Sequence, residues 1–362
     1  MAERPRVLIV GGSGVFGRLL SHELLRTTTV DLILAGRGLS AGIAACRELG
    51  APDRTSAIAL DLGNPESLAR AARGCLAVAC AAGPFQELSR ELPMAAVRAG
   101  AHWLDIGDDE GWVVPVLDDA TLDAAARDAG LAVIPGLSTV PALSGALARW
   151  GCERLPGADR ARITLFIGNR NAKGAGAIAS AMSSGFHRPT RVDLPFGHRI
   201  AYVGRSPDME FLRRDLGLNA EFRVVLEWAP AGLLVFGLGP IWSRLGARTR
   251  SRGARILAAI SRPFGRFGSE GGCLQVDLWD GKRRLSVTAL SADQRLGILP
   301  CAMVLQRLLE GDLPERGVVH PAAWLSPPTR IGELVTRGVR LVTAPSSERV
   351  HPAAEGLPLD PE

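Results

Sequence analysis

Residues 6–25 read RVLIVGGSGVFGRLLSHELL, a short apolar run followed by closely spaced glycines and then by an amphipathic stretch. The apolar run predicts a buried β-strand, and the amphipathic stretch predicts a helix. Gly12, Gly14 and Gly17 follow the GxGxxG spacing of a dinucleotide-binding turn. We expect Gly12 to permit the tight turn, Gly14 to let the backbone approach a pyrophosphate and Gly17 to let the helix pack on the strand.

The loop and the start of this helix therefore form a predicted cofactor site, in which the helix N-terminus stabilises phosphate charge. The residues expected to contact the cofactor here are Gly11, Gly12, Ser13, Gly14, Val15, Phe16 and Gly17.

The same alternation of strand and helix continues along the chain as far as residue 151, which indicates βαβ units. Continuous apolar runs indicate strands that are buried on both faces, as in a doubly wound parallel sheet. We therefore predict an α/β fold with an N-terminal Rossmann domain at residues 1–151. Its predicted strands are 6–10, 30–34, 56–60, 76–81, 102–105 and 131–134.

The sequence pattern changes after residue 151. From there, polar and apolar residues alternate as in half-exposed antiparallel strands. Strands predicted at 273–279 and 284–290 flank Asp280–Gly281, a hairpin turn signal. Residues 152–297 are thus predicted to form an α+β domain on an antiparallel sheet, which serves the substrate or dimerisation. Residues 298–343 are too short and too proline-broken for a core of their own and are expected to return to the Rossmann domain. The proline-rich tail, 344–362, is expected to be disordered.

The composition excludes several classes of protein. The chain of 362 residues has 42 basic and 37 acidic residues, a mild net charge of +5 without long basic runs, so nucleic-acid binding is not predicted. Its six cysteines are widely spaced and form no CxxC pair, which indicates reduced thiols and no metal site. The chain shows no signal-peptide pattern at its start, so a cytoplasmic location is expected.

One uncharged apolar stretch stands out in the second domain. Residues 229–242 read APAGLLVFGLGPIW and are followed closely by arginines. The stretch is too short to span a bilayer. A peripheral membrane contact through 229–255 and a buried or substrate-lining segment both remain open, as does a homodimer.

The end of the second predicted strand indicates which cofactor is bound. Arg37 lies 20 residues after Gly17, where an NAD-binding site would carry an acid for the ribose 2′-hydroxyl. A guanidinium there can pair with a 2′-phosphate, which predicts NADP. The ends of two later strands lie on the same edge and provide further candidate cofactor contacts. Asp61 and Leu62, after the third strand, are expected near the adenine. Those expected near the nicotinamide ribose follow the fourth strand: Ala82, Gly83, Pro84 and Phe85.

A protein that uses NADP as a cofactor would transfer a hydride. This reaction needs no nucleophile or metal from the protein, since the cofactor does the chemistry and the protein positions the partners. A proton donor would still help. The candidate catalytic residues follow the fifth and sixth predicted strands, on the ligand-binding edge of the sheet: Asp105, Asp108, Ser138 and Thr139. For Asp105, a role in capping the following loop is an equally good interpretation.

Several of these segments together resemble the saccharopine dehydrogenase-like oxidoreductases, a family that includes trans-acting enoyl reductases. The resemblance is carried, in order, by GGSGVFGR, AGR, AAGPF, AGAHWLDIGDDE, PGLSTVPAL and LLEGDLPERGVVHPAAWLSPPTRIGELVTRGVRL, and it extends to about Leu341, with a loose match over 168–271. It implies that Gly12, Gly14, Gly17 and Arg37 hold the phosphates of NADP and that residues 83–85 border its nicotinamide end. Asp108 departs from the family, which usually has Gly-Glu at this point.

The resemblance and the motifs together predict an NADP(H)-dependent oxidoreductase with a small-molecule substrate. Two substrate classes remain open: an imine or secondary amine, and an enoyl or other acyl chain. The alternative is a protein that binds NADP without turnover, as a sensor or a membrane-associated scaffold, because Rossmann domains serve many functions.

Overall fold

The structure is a computed structural model that describes residues 4–172, 178, 181, 187–237, 241, 244–264, 266–281 and 283–345. The chain divides into two compact units. The first comprises Met1–Ser138 and Gly297–Pro321, and the second comprises Thr139–Leu296 and Ala322–Glu362.

The first unit is built on a parallel sheet whose strand order is β13-β6-β5-β4-β1-β2-β3. The predicted Rossmann sheet is thus confirmed, and a short seventh strand extends it beyond β6. The central strands are buried along their length, as their continuous apolar sequences require. The strands are β1 (Arg6–Val10), β2 (Asp31–Gly36), β3 (Thr55–Ala59), β4 (Ala77–Cys80), β5 (His102–Asp105), β6 (Ala132–Ile134) and β13 (Gly317–Val318).

Helices connect these strands, and several begin at side chains that accept hydrogen bonds from helix N–H groups. Asn64 accepts from the N–H of Glu66, and Asp119 accepts from the N–H of Leu122. The helices of this unit are α1 (Val15–Thr27), α2 (Leu39–Leu49), α3 (Pro65–Ala72), α4 (Leu92–Arg98), α5 (Glu110–Leu117), α6 (Ala120–Asp128) and, from the later part of the chain, α10 (Leu299–Glu310).

The second unit has its own sheet, in the order β14-β12-β11-β7-β10-β9-β8. The predicted hairpin at Asp280–Gly281 is confirmed, because β11 and β12 pair antiparallel and Asp280 lies opposite Arg283. The α+β prediction is also confirmed, but the sheet is mixed, since β10 pairs parallel to β7. The strands are β7 (Arg160–Ile167), β8 (His187–Leu194), β9 (Gly197–Gly204), β10 (Asn219–Leu226), β11 (Gly272–Asp280), β12 (Arg283–Ser291) and β14 (Arg340–Pro345).

Strands β7 and β10 are parallel because the chain between them forms a crossover connection, which includes β8, β9 and a helix. The chain therefore enters β10 in the same direction as β7. The remaining helices are α7 (Ser144–Arg154), α8 (Pro207–Leu216), α9 (Ala247–Phe264), α11 (Pro321–Leu325) and α12 (Pro328–Thr336). None of the described helices is both long and apolar enough to cross a membrane.

The first boundary between the units differs from the predicted one at residue 151. Helix α7 packs on β11 and β12 of the second sheet, and a Cβ at Gly151 would lie 2.4 Å from Leu278 Cδ1. The apolar side of this helix therefore belongs to the second core, and the first unit ends at Ser138.

The predicted return of residues 298–343 to the first unit is correct only for their first part. Helix α10 packs on α1 and β13 joins the first sheet, but the chain after Pro321 belongs to the second unit, where β14 pairs with β12. Strand β12 would otherwise leave its backbone hydrogen-bonding groups unpaired at a sheet edge, and β14 pairs with them. This strand also includes residues 344 and 345 of the predicted disordered tail, whose remainder, 346–362, lies outside the described residues.

Candidate functional site

The glycine loop lies between β1 and α1, in the middle of the first sheet. Gly11 has a φ of +78°, so the residue that makes the tight turn is Gly11 rather than Gly12 as predicted. The N–H groups of Gly11 and Gly12 donate to the carbonyl of Ala35, at 2.8 and 3.3 Å, which holds the loop against the end of β2. Gly14 N–H donates to Gly11 O at 2.9 Å and closes the turn.

The contacts that a Cβ would make differ between the glycines of the loop. A Cβ at Gly12 would lie 2.8 Å from Leu34 Cβ, and a Cβ at Gly17 would lie 2.2 Å from Gly11 O. These two positions therefore allow close packing of loop, strand and helix, as predicted for Gly17. Gly14 is exposed, and a Cβ there would meet only Gly11 O, at 3.1 Å. The exposed side of the loop at Gly14 is open to a ligand.

Helix α1 begins without a side-chain cap. Its N-cap residue is Gly14, and its first turn contains no acidic residue. The first N–H groups of a helix have no acceptor within the helix, so this helix start can accept an anion. Two predicted contact residues lie in that first turn, Val15 and Phe16, both partly buried. Phe16 faces Gly297, where a Cβ would lie 3.0 Å from the ring.

Arg37 directly follows β2 and is exposed. Across the described part of the chain, its guanidinium makes no ion pair. A Cβ at Gly36, the preceding residue, would lie in open space, since the nearest atom would be Ser13 Oγ, at 4.0 Å. The structure thus brings Arg37 and the glycine loop to one corner of the sheet. Gly38 has a φ of −105°, so its backbone does not require glycine.

The loops that follow β3 and β4 have different surroundings. Asp61 is exposed, and its Oδ1 accepts from Gly63 N–H at 3.0 Å, so it forms the turn before α3, with Leu62 at its centre. Ala82 lies against the glycine loop, since a Cβ at Gly11 would be 2.8 Å from its backbone. The exposed Gly83 and the partly buried Pro84 continue from there to a buried Phe85.

Phe85 joins the loop after β4 to the loop after β5. Its ring centroid lies 5.7 Å from that of Trp112, and a Cβ at Gly107 would lie 3.2 Å from the Phe85 ring. Because β4, β5 and β6 are parallel neighbours, their following loops meet at one edge. The segments 82–85, 105–108 and 136–138 therefore lie at one edge of the first sheet.

Asp105, at the end of β5, is fully buried and organises these loops. Its Oδ2 accepts from the indole N–H groups of Trp103 and Trp112, at 2.9 and 3.1 Å. Its Oδ1 accepts from the backbone N–H groups of Gly107 and Gly136, both at 2.9 Å. Burial raises the pKa of Asp105, and these four donors oppose the rise.

The four bonds argue against the predicted role of Asp105 as a proton donor. All four partners are donors, so they fit a carboxylate and leave its oxygens no route to a substrate. The backbone carbonyl of Asp105 also accepts from Leu137 N–H at 2.7 Å. These bonds favour the interpretation that Asp105 caps the following loop. Sequence reasoning missed the two tryptophans, although they lie two residues before and seven after the acid.

Asp108 differs from Asp105, because its side chain is exposed. Desolvation by the surrounding protein and, to a smaller extent, the charge of Asp109 nevertheless raise the pKa of Asp108 to about 6. A carboxyl group that solvent can reach and that titrates near neutral pH can act as a general acid. Asp108 therefore stays a candidate proton donor.

Ser138 and Thr139 are more than nine-tenths buried. The N–H of Ser138 donates to Gly136 O at 2.8 Å, and Thr139 begins an irregular helical turn that leads into α7. Their hydroxyls therefore do not face open solvent. Within the ranges that the structure describes, no group of three or more His, Cys, Asp or Glu residues is placed to hold a metal ion.

The comparisons with known proteins concern the fold. No family model matches the chain. The structure of saccharopine dehydrogenase (L-Glu forming) from Saccharomyces cerevisiae matches with a TM-score of 0.65 and 12% identity, over 95% of this chain and all of the yeast chain. This chain has a saccharopine dehydrogenase-like fold. A probable dehydrogenase from Thermotoga maritima is similar over 87% of this chain and 91% of its own, with 10% identity and a TM-score of 0.47.

Proposed function

We propose that this chain is an NADP(H)-dependent oxidoreductase that transfers a hydride to or from an imine or secondary amine, or an enoyl or other acyl substrate. The observation that carries the proposal is the corner of the first sheet where the uncapped start of α1 and the exposed Arg37 lie beside one glycine loop. Each element suits a different phosphate of the same cofactor. The yeast structure with the same fold bears the name of a dehydrogenase.

The residues of this corner fit a dinucleotide phosphate by size and by charge. The exposed side of Gly14 and the open space at Gly36 leave room that side chains would otherwise fill. The first N–H groups of α1 would bind the pyrophosphate, and Arg37 would pair with the 2′-phosphate. Ser13, whose hydroxyl faces Gly36, lies between the two positions.

The chemistry divides between the cofactor and this protein. NADPH supplies a hydride when it is bound. The loop of Gly83–Pro84, which lies beside the glycine loop through Ala82, would border the nicotinamide end and position it. Asp108 would hold the proton that balances the hydride on the substrate, because its raised pKa keeps part of it protonated near neutral pH.

The first experiment measures cofactor preference with Arg37→Asp. We expect wild type to bind NADPH more tightly than NADH by about tenfold to a hundredfold, since a charge-assisted pair contributes roughly 1.5–3 kcal/mol. The variant should lose that preference, because a carboxylate repels the 2′-phosphate and accepts from a free 2′-hydroxyl. Fluorescence titration of both cofactors measures the affinities.

Arg47→Asp is the matched control, because Arg47 is also exposed but lies in the last turn of α2. It should keep the wild-type preference. Equal affinities of wild type for the two cofactors would remove Arg37 from the site.

The second experiment separates an enzyme from a protein that only binds the cofactor. Imines, keto acids and enoyl thioesters are supplied with NADPH, and loss of the reduced-nicotinamide absorbance is followed. Turnover of one class identifies the substrate type. Tight NADPH binding without turnover of any class would favour the sensor or scaffold instead.

A further inference from the structure

Residues 228–267 form a long insertion in the second sheet, between β10 and β11. Its two ends are tied together by Glu227, whose Oε2 accepts from the N–H groups of Asn169 and Ser269, both at 2.7 Å. The side chain of Asn169 also donates to Phe267 O at 3.0 Å. The insertion therefore leaves the sheet and returns to it at one place, beside the end of β7.

The insertion concentrates the positive charge of the chain. It contains no acidic residue and seven arginines, a charge of +7, whereas the whole chain carries +5. The rest of the chain is thus slightly acidic. Its arginines are Arg244, Arg248, Arg250, Arg252, Arg255, Arg262 and Arg266.

The insertion also exposes an excess of apolar side chains. Among the described residues, twelve large apolar side chains are exposed, and seven of them lie in this one segment. Exposed apolar side chains concentrated in one segment indicate a contact with another molecule or with a membrane. The seven are Trp228, Leu233, Leu234, Ile241, Ile256, Ile260 and Phe267.

Helix α9 shows how the two properties combine. Ala254 is buried, so this side of the helix faces the protein. Ile256 and Ile260 lie one turn apart and are 59% and 55% exposed, on a face directed away from Ala254. Arg252 and Arg255 are exposed next to this face. The outer surface of α9 therefore presents an apolar strip beside a basic one.

We propose that the outer surface of α9, with Arg252, Arg255, Ile256 and Ile260, docks the protein onto a membrane surface that contains anionic phospholipid. Ile256 and Ile260 would enter the interface between head groups and acyl chains, while Arg252 and Arg255 pair with lipid phosphates. Charge favours an anionic membrane over a second copy of the chain. In a symmetric dimer through this segment, two surfaces that carry arginines and no acidic residues would face each other. The proposal is independent of the cofactor and of the reaction.

The test is cosedimentation of the full chain with vesicles. We expect binding to phosphatidylcholine vesicles that contain about one third phosphatidylserine, little binding to pure phosphatidylcholine, and loss of binding as salt rises. Arg252→Glu/Arg255→Glu should weaken binding more than tenfold, since each basic residue contributes on the order of fivefold. Ile256→Ser/Ile260→Ser should weaken it roughly tenfold or more, through loss of apolar burial.

The matched controls are exposed residues elsewhere. Ile200→Ser/Val335→Ser removes two similarly exposed apolar side chains, and Arg73→Glu/Arg98→Glu reverses two exposed charges in the first unit. Both should bind vesicles as wild type does. Hydrogen exchange adds an independent measurement, in which anionic vesicles should protect α9 and leave α2 unchanged.

Three outcomes would overturn the proposal. Control and α9 variants that bind vesicles equally would move the contact elsewhere. A wild-type dimer that Ile256→Ser/Ile260→Ser converts to a monomer, without vesicle binding, would assign the surface to self-association. Binding of a single-stranded oligonucleotide in preference to anionic vesicles would assign it to nucleic acid.

Discussion

The two sheets differ in where they place their polar side chains. In the first, the strand interiors are apolar and buried, and the candidate site residues follow the strand ends. In the second, one face packs on α7 and the other carries polar residues that are nevertheless buried, such as Thr164, Gln275 and Thr288. These three align across β7, β11 and β12. The first sheet thus concentrates polar chemistry at an edge, and the second spreads it over a face.

The polar face of the second sheet is a network centred on Asp277, which is 2% exposed. Asp277 Oδ1 accepts from Arg284 at 2.8 Å and from Ser286 Oγ at 2.6 Å, and Gln275 donates to both of its oxygens at 3.1 Å. Arg162 lies over the Trp279 ring at 4.7 Å. Residues far apart in the chain therefore converge here, whereas the motifs of the first sheet are local.

Each unit also contains a fully buried carboxyl group, and the two differ in their partners. Asp105 has four N–H donors, which favour its charged form. Asp208, at the start of α8, contacts the hydroxyl of Ser144 at 2.8 and 2.9 Å and that of Ser206 at 3.4 Å. Hydroxyls can accept as well as donate, so they also suit a protonated acid. Burial raises the pKa of Asp208 to about 7.

The largest effect is expected for Asp105→Asn, which tests the buried carboxylate of the first unit. The new amide would direct its own N–H groups at two of the four donors. We expect the free energy of unfolding to fall by about 3–5 kcal/mol, measured by urea titration. Asp53→Asn, at an exposed position of the same unit, should change it by less than about 0.5 kcal/mol. A stable Asp105→Asn protein that loses only turnover would restore Asp105 as a catalytic residue.

The next effect concerns Asp108, the exposed carboxyl group at the same sheet edge. Asp108→Asn should lower kcat for reduction by roughly a hundredfold, about 2.7 kcal/mol, with little change in NADPH affinity. In wild type, a proton donor is active while protonated, so kcat/KM should be constant below about pH 6 and fall above it. The variant should lose this pH dependence. An unchanged pH profile in the variant would assign the proton to another group.

The last effect concerns Asp208 and appears only as a pH dependence of stability. Its folded pKa is raised, so its contribution to stability is complete below about pH 4 and is lost as pH rises through about 7. We expect Asp208→Asn to gain stability relative to wild type between these limits by up to about 4 kcal/mol, or about 1.4 kcal/mol per pKa unit, measured by urea unfolding at several pH values. A constant difference between the two proteins would show that Asp208 does not titrate in this range.

Much of the fold follows from local patterns. The glycine loop, six of the seven strands of the first sheet and the Asp280–Gly281 hairpin were all predicted, because each depends on residues close together in one or two elements. The position of Arg37 beside the loop was predicted for the same reason, since it depends on the length of a single βαβ unit. The packing of α7 on the second sheet and the pairing of β14 with β12 were not predicted, because they depend on partners distant in the chain.

The sequence by itself determined which residues follow each strand at one edge of the first sheet. Only the tertiary structure decided which of those residues are free to act there. Asp105 and Asp108 are three positions apart and look alike in the sequence, but four donors from three segments surround one and solvent reaches the other. The reason is physical: a carboxyl group's protonation and reach depend on the donors and the solvent around it, and these come from parts of the chain that only folding brings together.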